Sequence, residues 1–137
     1  MNKNTKKKKK GFTLIELIIV LAIMAIIGAI AVPNFTSIRN SSKLKADNQS
    51  VEIVKRIVTT LVADGSVATP ESADEVYTVS FTSTGDIDKV KDSGNTENAV
   101  IRDALLDVKA PQVTGQKVFK ITITQTTGAV SVATAAS

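Results

Sequence analysis

Several residue types that commonly carry chemistry are missing from this sequence. It has no cysteine, histidine or tryptophan, and its only aromatic residues are one tyrosine and four phenylalanines. Without cysteine the chain can form neither a disulfide nor a thiolate metal site. Without histidine it lacks the commonest metal ligand and the commonest general base. These absences predict that the chain is not an enzyme and that it uses no cofactor.

Positive charge is scarce outside the N-terminal end. The formal net charge is +4, but six of the 17 basic residues lie within positions 1–10. Residues 12–137 carry 11 Lys/Arg against 13 Asp/Glu, a net charge of −2. Nucleic-acid binding needs basic residues clustered on the folded part of a protein. The sequence therefore gives no reason to expect a nucleic-acid contact.

An apolar segment directly follows the basic end. Residues 12–32 form a run of 21 residues that contains a single charge, Glu16. About 20 apolar residues in a helix are enough to cross a bilayer core of ~30 Å. Lysines that flank such a segment tend to remain in the cytoplasm. The pattern predicts a membrane helix with its N-terminus inside the cell and the residues after Val32 outside.

Glu16 is unusual in this position. A carboxylate at the centre of a bilayer costs roughly 2.5–3.5 kcal/mol on insertion scales, and less near the interface. A segment that served only as an anchor would have no need of this charge. We therefore interpret Glu16 as functional and expect its partner to be a positive charge from another molecule.

Two simpler interpretations of the segment remain open. A secretory signal peptide could be cleaved after Ala31 and release a soluble domain. Its apolar run would be longer than usual, would contain a carboxylate, and would place Pro33 just after the cut. Alternatively, the segment could be an uncleaved anchor for a membrane-tethered binding domain that never polymerises.

The sequence after Pro33 keeps a helical pattern. Apolar residues at spacings of three, four and seven predict an amphipathic stripe, and Gly65 is a candidate C-terminal cap. We predict one helix from Phe12 to about Asp64. Gly28 and Pro33 interrupt it, either as a kink in a continuous helix or, for Pro33, as the first turn of a second helix. The stripe comprises Leu44, Val51, Val54, Val58, Leu61 and Val62.

The C-terminal half has the alternating pattern of short strands. Residues 76–82, 117–124 and 129–134 each predict a strand, and residues 86–96 form a polar stretch. Residues 97–108 predict a short helix capped by Thr96, with inward Val100, Ile101, Ala104, Leu105 and Val108.

These elements predict an α+β fold. A sheet of about 70 residues has a marginal core by itself, so we expect it to pack on the amphipathic part of the long helix. The predicted division is a basic leader (1–11), an apolar helix (12–33), the amphipathic half of the helix (34–65) and the antiparallel sheet with its short helix (66–137).

Residues 11–16 read GFTLIE between a lysine-rich leader and the apolar helix, and Pro33 follows. This arrangement closely resembles the class III signal of type IV pilins and pseudopilins over residues 6 to about 35. Beyond that, only the layout of a long helix and a small sheet is similar. The absence of cysteine departs from the disulfide loop of many type IVa pilins and suits a Gram-positive system.

The resemblance implies specific roles. A prepilin peptidase would cut between Gly11 and Phe12 and methylate the new N-terminus at Phe12. Glu16 would pair with the Phe12 ammonium of a neighbouring subunit as the helix leaves the membrane for the filament core. The stretch from Gly28 to Pro33 would be where the helix can loosen. A pilus assembly ATPase and platform would be further partners.

The resemblance also prompts the question of a metal site, because pseudopilins of type II secretion bear a calcium loop. Asp86, Asp88 and Asp92 lie close together in sequence, and carboxylates near turn residues can bind calcium. No glutamate follows at the spacing of an EF-hand loop, and Lys89 and Lys91 lie between the aspartates. A solvated polar turn is the preferred interpretation, and we expect no metal.

Taken together, these features predict a type IV pilus subunit that polymerises into a surface filament for adhesion, aggregation or motility. It would be a single-pass protein of the cytoplasmic membrane before assembly and extracellular afterwards. The alternative is a pseudopilin of a secretion or DNA-uptake machine, the one case in which a nucleic-acid contact is expected.

Overall fold

The computed structural model describes residues 10–137 of the chain. Most of the predicted basic leader, including the lysines at positions 3 and 6–9, lies outside the described residues. The elements, in chain order, are α1 (Leu14–Ala63), β1 (Glu75–Phe81), β2 (Ile87–Lys91), α2 (Ala99–Ala104), β3 (Val118–Ile123) and β4 (Val130–Ala135). The fold is α+β, as predicted.

Residue contacts divide the chain into two units, one ending at Arg39 and one spanning Asn40–Ser137. The first unit contains the apolar part of α1. The second contains the rest of α1, the sheet and α2. This division does not test the four boundaries predicted from the sequence, which remain predictions.

Helix α1 is continuous through Pro33. Proline has no N–H group, so the carbonyl four residues earlier loses its usual donor. Two side chains bond to nearby carbonyls: Asn34 Nδ2 donates to Ile30 O at 3.3 Å, and Thr36 Oγ1 donates to Val32 O at 3.2 Å. The interpretation in which a second helix starts at Pro33 is therefore wrong. At the other end, Gly65 has a positive φ of 80° and follows the helix as the predicted cap.

The sheet has four antiparallel strands in the order β2-β1-β3-β4. The three predicted strands are β1, β3 and β4, each within one residue of its expected ends. Strand β2 was not predicted, because it lies within the polar stretch 86–96. Its pairing with β1 is irregular between Ser80 and Phe81, and only Val90 of its five residues is fully buried.

The core lies between one face of the sheet, α2 and the second part of α1. Val54 and Val58 of α1 are completely buried against it. Phe81 and Phe119 meet edge to face with ring centroids 5.5 Å apart, a favoured aromatic geometry. The stripe on α1 was correct except at Leu44, which is 53% exposed. The buried sheet residues include Tyr77, Val79, Val90, Phe119, Ile121, Ile123 and Val130.

Helix α2 is shorter than predicted. It begins after Asn98, whose side chain accepts a hydrogen bond from the N–H of Ile101 at 3.0 Å, so Thr96 is not the cap. Ile101, Leu105 and Val108 are buried as expected, whereas Val100 is 47% exposed and Ala104 is also exposed. The helix has only six residues, so Leu105 and Val108 reach the core from the segment that follows it.

The turn before β4 approaches α1 closely. Gly128 has φ of 64°, and a Cβ placed there would lie 3.0 Å from a methyl carbon of Val62 and 3.1 Å from the hydroxyl of Thr69. Both the positive φ and the close contact favour glycine. Gly128 therefore allows the turn before β4 to pack directly against α1.

One charged side chain of α1 faces inward. Asp47 is 3% exposed, and its carboxylate accepts hydrogen bonds from the N–H groups of Gln112 at 2.6 Å and Val113 at 2.9 Å. These two donors lie more than 60 residues away in the sequence. Asp47 therefore ties the segment after Pro111 to the helix.

Removing this carboxylate should destabilise the second unit. In Asp47→Ala the two N–H groups lose their acceptor, and an unsatisfied buried donor costs about 1–3 kcal/mol. We expect the free energy of unfolding of the full chain in detergent to fall by about 2–4 kcal/mol. The Gln112 and Val113 amides should also exchange their hydrogens faster. The exposed Glu52→Ala on the same helix is the control, and equal stability of the two variants would contradict the role of Asp47.

Candidate functional site

The first part of α1 exposes its apolar side chains on every side. All residues from 14 to 38 are exposed except Gly28, which is intermediate. This is the one described helix whose length and composition would allow it to cross a membrane. Exposing so much apolar surface to water is strongly unfavourable. An apolar environment from outside this chain must therefore cover it.

Glu16 takes part in a capping box at the start of α1. Its backbone N–H donates to Thr13 Oγ1 at 3.3 Å, and its carboxylate Oε2 accepts from the backbone N–H of Thr13 at 2.8 Å. The Thr13 hydroxyl also lies 3.0 Å from Oε2. This reciprocal pattern satisfies two donors that a helix start would otherwise leave free. The carboxylate is held beside the first turn of the helix.

The hydrogen bonds to Glu16 leave its charge uncompensated. Both donors are groups of Thr13, both are neutral, and both use the same oxygen. Within residues 10–137 the structure shows no donor to the other oxygen, Oε1. No cation of residues 10–137 therefore pairs with this carboxylate.

Gly11 and Phe12 precede the helix and are exposed. The Phe12 side chain is 86% exposed, and no atom of residues 10–137 lies within 4 Å of a Cβ placed on Gly11. Packing within these residues therefore does not require glycine at position 11. The peptide bond between the two residues is accessible, and the amino group that cleavage would create lies one residue before the capping box.

The two residues predicted to kink the helix have different surroundings. No atom of the described part of the chain lies within 4 Å of a Cβ placed on Gly28, and glycine inside a helix costs about 1 kcal/mol relative to alanine. Contacts within that part do not offset this cost. Pro33 removes a backbone hydrogen bond, and the side-chain bonds of Asn34 and Thr36 described above tend to bend helices. A kink remains a prediction.

The three aspartates considered for calcium have other partners or lie apart. Asp86 is bonded to Lys109 Nζ and to Thr84 Oγ1, and these hydrogen bonds hold its pKa below the ordinary value. Asp92 Oδ1 accepts from the N–H of Thr96 at 2.8 Å, and Asp88 is exposed on β2. Residues 10–137 contain no group of three or more carboxylates that could hold a metal ion.

Two residues were missed at the sequence level. Thr13 was not recognised as a partner of Glu16, although the T-x-x-E pattern before an apolar run is the signature of a capping box. Asp47 was not recognised as buried, although it lies four and seven residues before Val51 and Val54 on the apolar stripe. A carboxylate on an apolar stripe signals a specific hydrogen-bonding partner.

Comparisons with known proteins agree with this arrangement. A family profile described as the prokaryotic N-terminal methylation motif matches residues 6–32. The chain is 37% identical over 112 residues to a protein named prepilin peptidase-dependent protein A of Clostridium perfringens, covering 81% of this chain and 76% of that protein.

Two further relatives match mainly over part of their length. A fimbrial protein of Pseudomonas aeruginosa is 36% identical over 80 residues, which is 56% of this chain and 51% of that protein. The type IV major fimbrial protein FimA of Dichelobacter nodosus is 38% identical over 63 residues, which is 46% of this chain and 40% of that protein. The chain spans about half or less of these fimbrial proteins. No solved structure matches.

The capping box can be tested without any assembly assay. Thr13→Val keeps the shape of the side chain but removes the hydroxyl, whereas Thr13→Ser keeps the hydroxyl. Loss of an N-cap weakens a helix start enough to raise local opening about fivefold. We expect the amides of the first turn to exchange faster by about that factor in Thr13→Val and to remain unchanged in Thr13→Ser, by hydrogen-exchange NMR in micelles. Equal protection in both variants would show that the hydroxyl does not cap α1.

Proposed function

Because this chain belongs to the type IV pilin family, we propose that it is a pilus subunit that polymerises into a surface filament. At the coarser level it is a fimbrial-type protein of the prepilin peptidase-dependent class. The observation that carries the proposal is the exposed apolar surface of residues 14–38, which begins with an uncompensated carboxylate at Glu16. A bilayer can cover this surface before assembly, and the same segments of other copies can cover it afterwards.

Processing is the first step of the proposed mechanism. A prepilin peptidase cleaves between Gly11 and Phe12 and methylates the amino group of Phe12. The exposure of both residues and the open space around Gly11 support this step. Cleavage removes the basic leader and creates a cation one residue before the capping box, at the start of the apolar segment.

Assembly uses the charge of Glu16. Within residues 10–137 the carboxylate receives only neutral donors, so an ammonium group can offset its charge. A charge taken into an apolar bundle is stabilised when an opposite charge meets it with good geometry. The proposed partner is the Phe12 amino group of a neighbouring subunit. Because the pair forms only at one axial offset between two helices, it also sets the register of the filament.

The stretch between Gly28 and Pro33 is where we propose that α1 loosens on assembly. Gly28 lowers the intrinsic stability of the helix, and Pro33 removes one of its hydrogen bonds. Neither residue is explained by a contact within the described chain. Local loosening would let apolar helices adjust to one another in a bundle.

In this proposal the protein occupies two locations, one before assembly and one after it. It is anchored in the cytoplasmic membrane by residues 12–33 before assembly, and it lies on the cell surface in the filament afterwards. A pilus assembly ATPase and its membrane platform would extract the subunits. Adhesion, aggregation or motility would be the role of the filament. The names of the fimbrial relatives favour a pilus over a pseudopilus of a secretion or DNA-uptake machine.

Substitutions at Glu16 distinguish charge pairing from helix capping. Glu16→Ala removes both functions, whereas Glu16→Gln removes the charge but can still accept the Thr13 hydrogen bonds, since Gln also forms capping boxes. We expect both variants to insert into the membrane, as measured by cell fractionation. We expect neither variant to form filaments, as measured by electron microscopy of sheared surface material. Glu52→Gln, an exposed carboxylate of the same helix, should assemble normally.

The two variants also show how the proposal could fail. Normal filaments from Glu16→Gln would mean that capping, not charge, is what assembly requires. Normal filaments from Glu16→Ala would remove any role for this carboxylate in assembly.

A further inference from the structure

The face of the sheet that points away from α1 carries a group of lysines. Side chains alternate between the two faces of a strand, and Tyr77, Val79 and Phe119 belong to the buried face. Lys89 and Lys91 of β2 and Lys120 of β3 therefore lie on the opposite face. We call these three residues the sheet lysines.

The strand register brings the sheet lysines together. Thr78 of β1 lies opposite Lys91 on one side and opposite Lys120 on the other. Because neighbouring strands are about 4.8 Å apart, these two lysines start about 10 Å from each other. Lys89 and Lys91 are two residues apart on the same strand, at a spacing of about 6.7 Å. Residues far apart in sequence thus form one compact basic group.

Most nearby carboxylates are turned away or already paired. Glu75 belongs to the alternate positions that include Tyr77 on the other face. Asp88 is the exception, because it is exposed next to Lys89 at the irregularity of the β1–β2 pairing. The carboxylate of Glu97 is bound to Arg102 at 2.6 Å. Lys91 Nζ donates to Asn95 Oδ1 at 2.8 Å, which is a neutral partner. Three lysines against the one unpaired carboxylate of Asp88 leave this part of the sheet with a net positive charge, although residues 12–137 carry a net charge of −2.

The same face of the strands is rich in hydroxyl groups and has no aromatic rings. Thr78 and Ser80 of β1, Thr122 of β3 and Ser131 of β4 alternate with the buried positions. The aromatic residues of the strands, Tyr77, Phe81 and Phe119, belong to the core side. Single-stranded nucleic acids are usually bound by stacking their bases on aromatic rings, and this face offers none. Hydroxyls and ammonium groups instead match a chain of phosphates and polyols.

We propose that this face binds a linear polyol-phosphate polymer, such as a poly(glycerol phosphate) chain. The sheet lysines contact successive phosphates, and the hydroxyls of Thr78, Ser80, Thr122 and Ser131 contact the polyol groups. The contacts are made by a single subunit, so the activity does not depend on polymerisation or on the role of Glu16. It gives the second unit a binding surface of its own.

The test uses the full chain in nanodiscs of a zwitterionic lipid and immobilised poly(glycerol phosphate) as the probe. We expect binding that weakens as salt is raised, because exposed charges are screened. Each lysine near an anionic surface contributes about fivefold in affinity. Lys89→Gln, Lys91→Gln and Lys120→Gln together should therefore reduce the affinity by roughly a hundredfold.

A charge-matched control separates this face from general electrostatic attraction. Lys43→Gln, Lys45→Gln and Lys55→Gln together remove the same charge from α1, and this triple variant should bind as the unchanged protein does. Circular dichroism checks that both triple variants remain folded. Equal affinity of the two triple variants, or no binding by the unchanged protein, would overturn the proposal. Tighter binding of duplex DNA than of the polymer would overturn the choice of ligand.

Discussion

The structure depends on one constraint: the first part of α1 presents apolar side chains in every direction, and the described chain covers almost none of them. Residues 14–38 therefore need a second apolar environment. We propose that a bilayer provides it for a single subunit and that a bundle of the same helices provides it for a polymer. A surface that both environments satisfy would let a subunit move from one to the other, and in this proposal Glu16 adds a charge that is better compensated in the second.

The remainder of α1 solves a different problem with the same helix. A small four-stranded sheet has too little apolar surface to form a stable core alone. Val54 and Val58 supply that surface, and Asp47 fixes the segment after Pro111 through two backbone N–H groups. The first part of α1 is thus an exposed apolar segment, and its second part packs against the sheet to complete the core. The change from uniform to one-sided apolarity along α1 follows from these two roles.

Much of this architecture can be predicted from the sequence because its signals are periodic. The apolar run, the stripe on α1 and the alternation in β1, β3 and β4 all reflect burial. Strand β2 escaped prediction because only Val90 among its residues is fully buried and its pairing is irregular. The late start of α2 is set by the Asn98 cap. The sheet lysines could not be foreseen, because the strand order that brings Lys91 and Lys120 to either side of Thr78 is a property of the tertiary fold.

The most direct measurement of the central claim is the N-terminal residue and mass of the mature protein in sheared surface material. The account predicts a chain that begins at N-methylated Phe12 and therefore keeps Glu16 and the apolar helix. A chain that begins at Val32, after cleavage following Ala31, would lack both. That result would contradict the filament interpretation and identify the segment as an ordinary secretory signal.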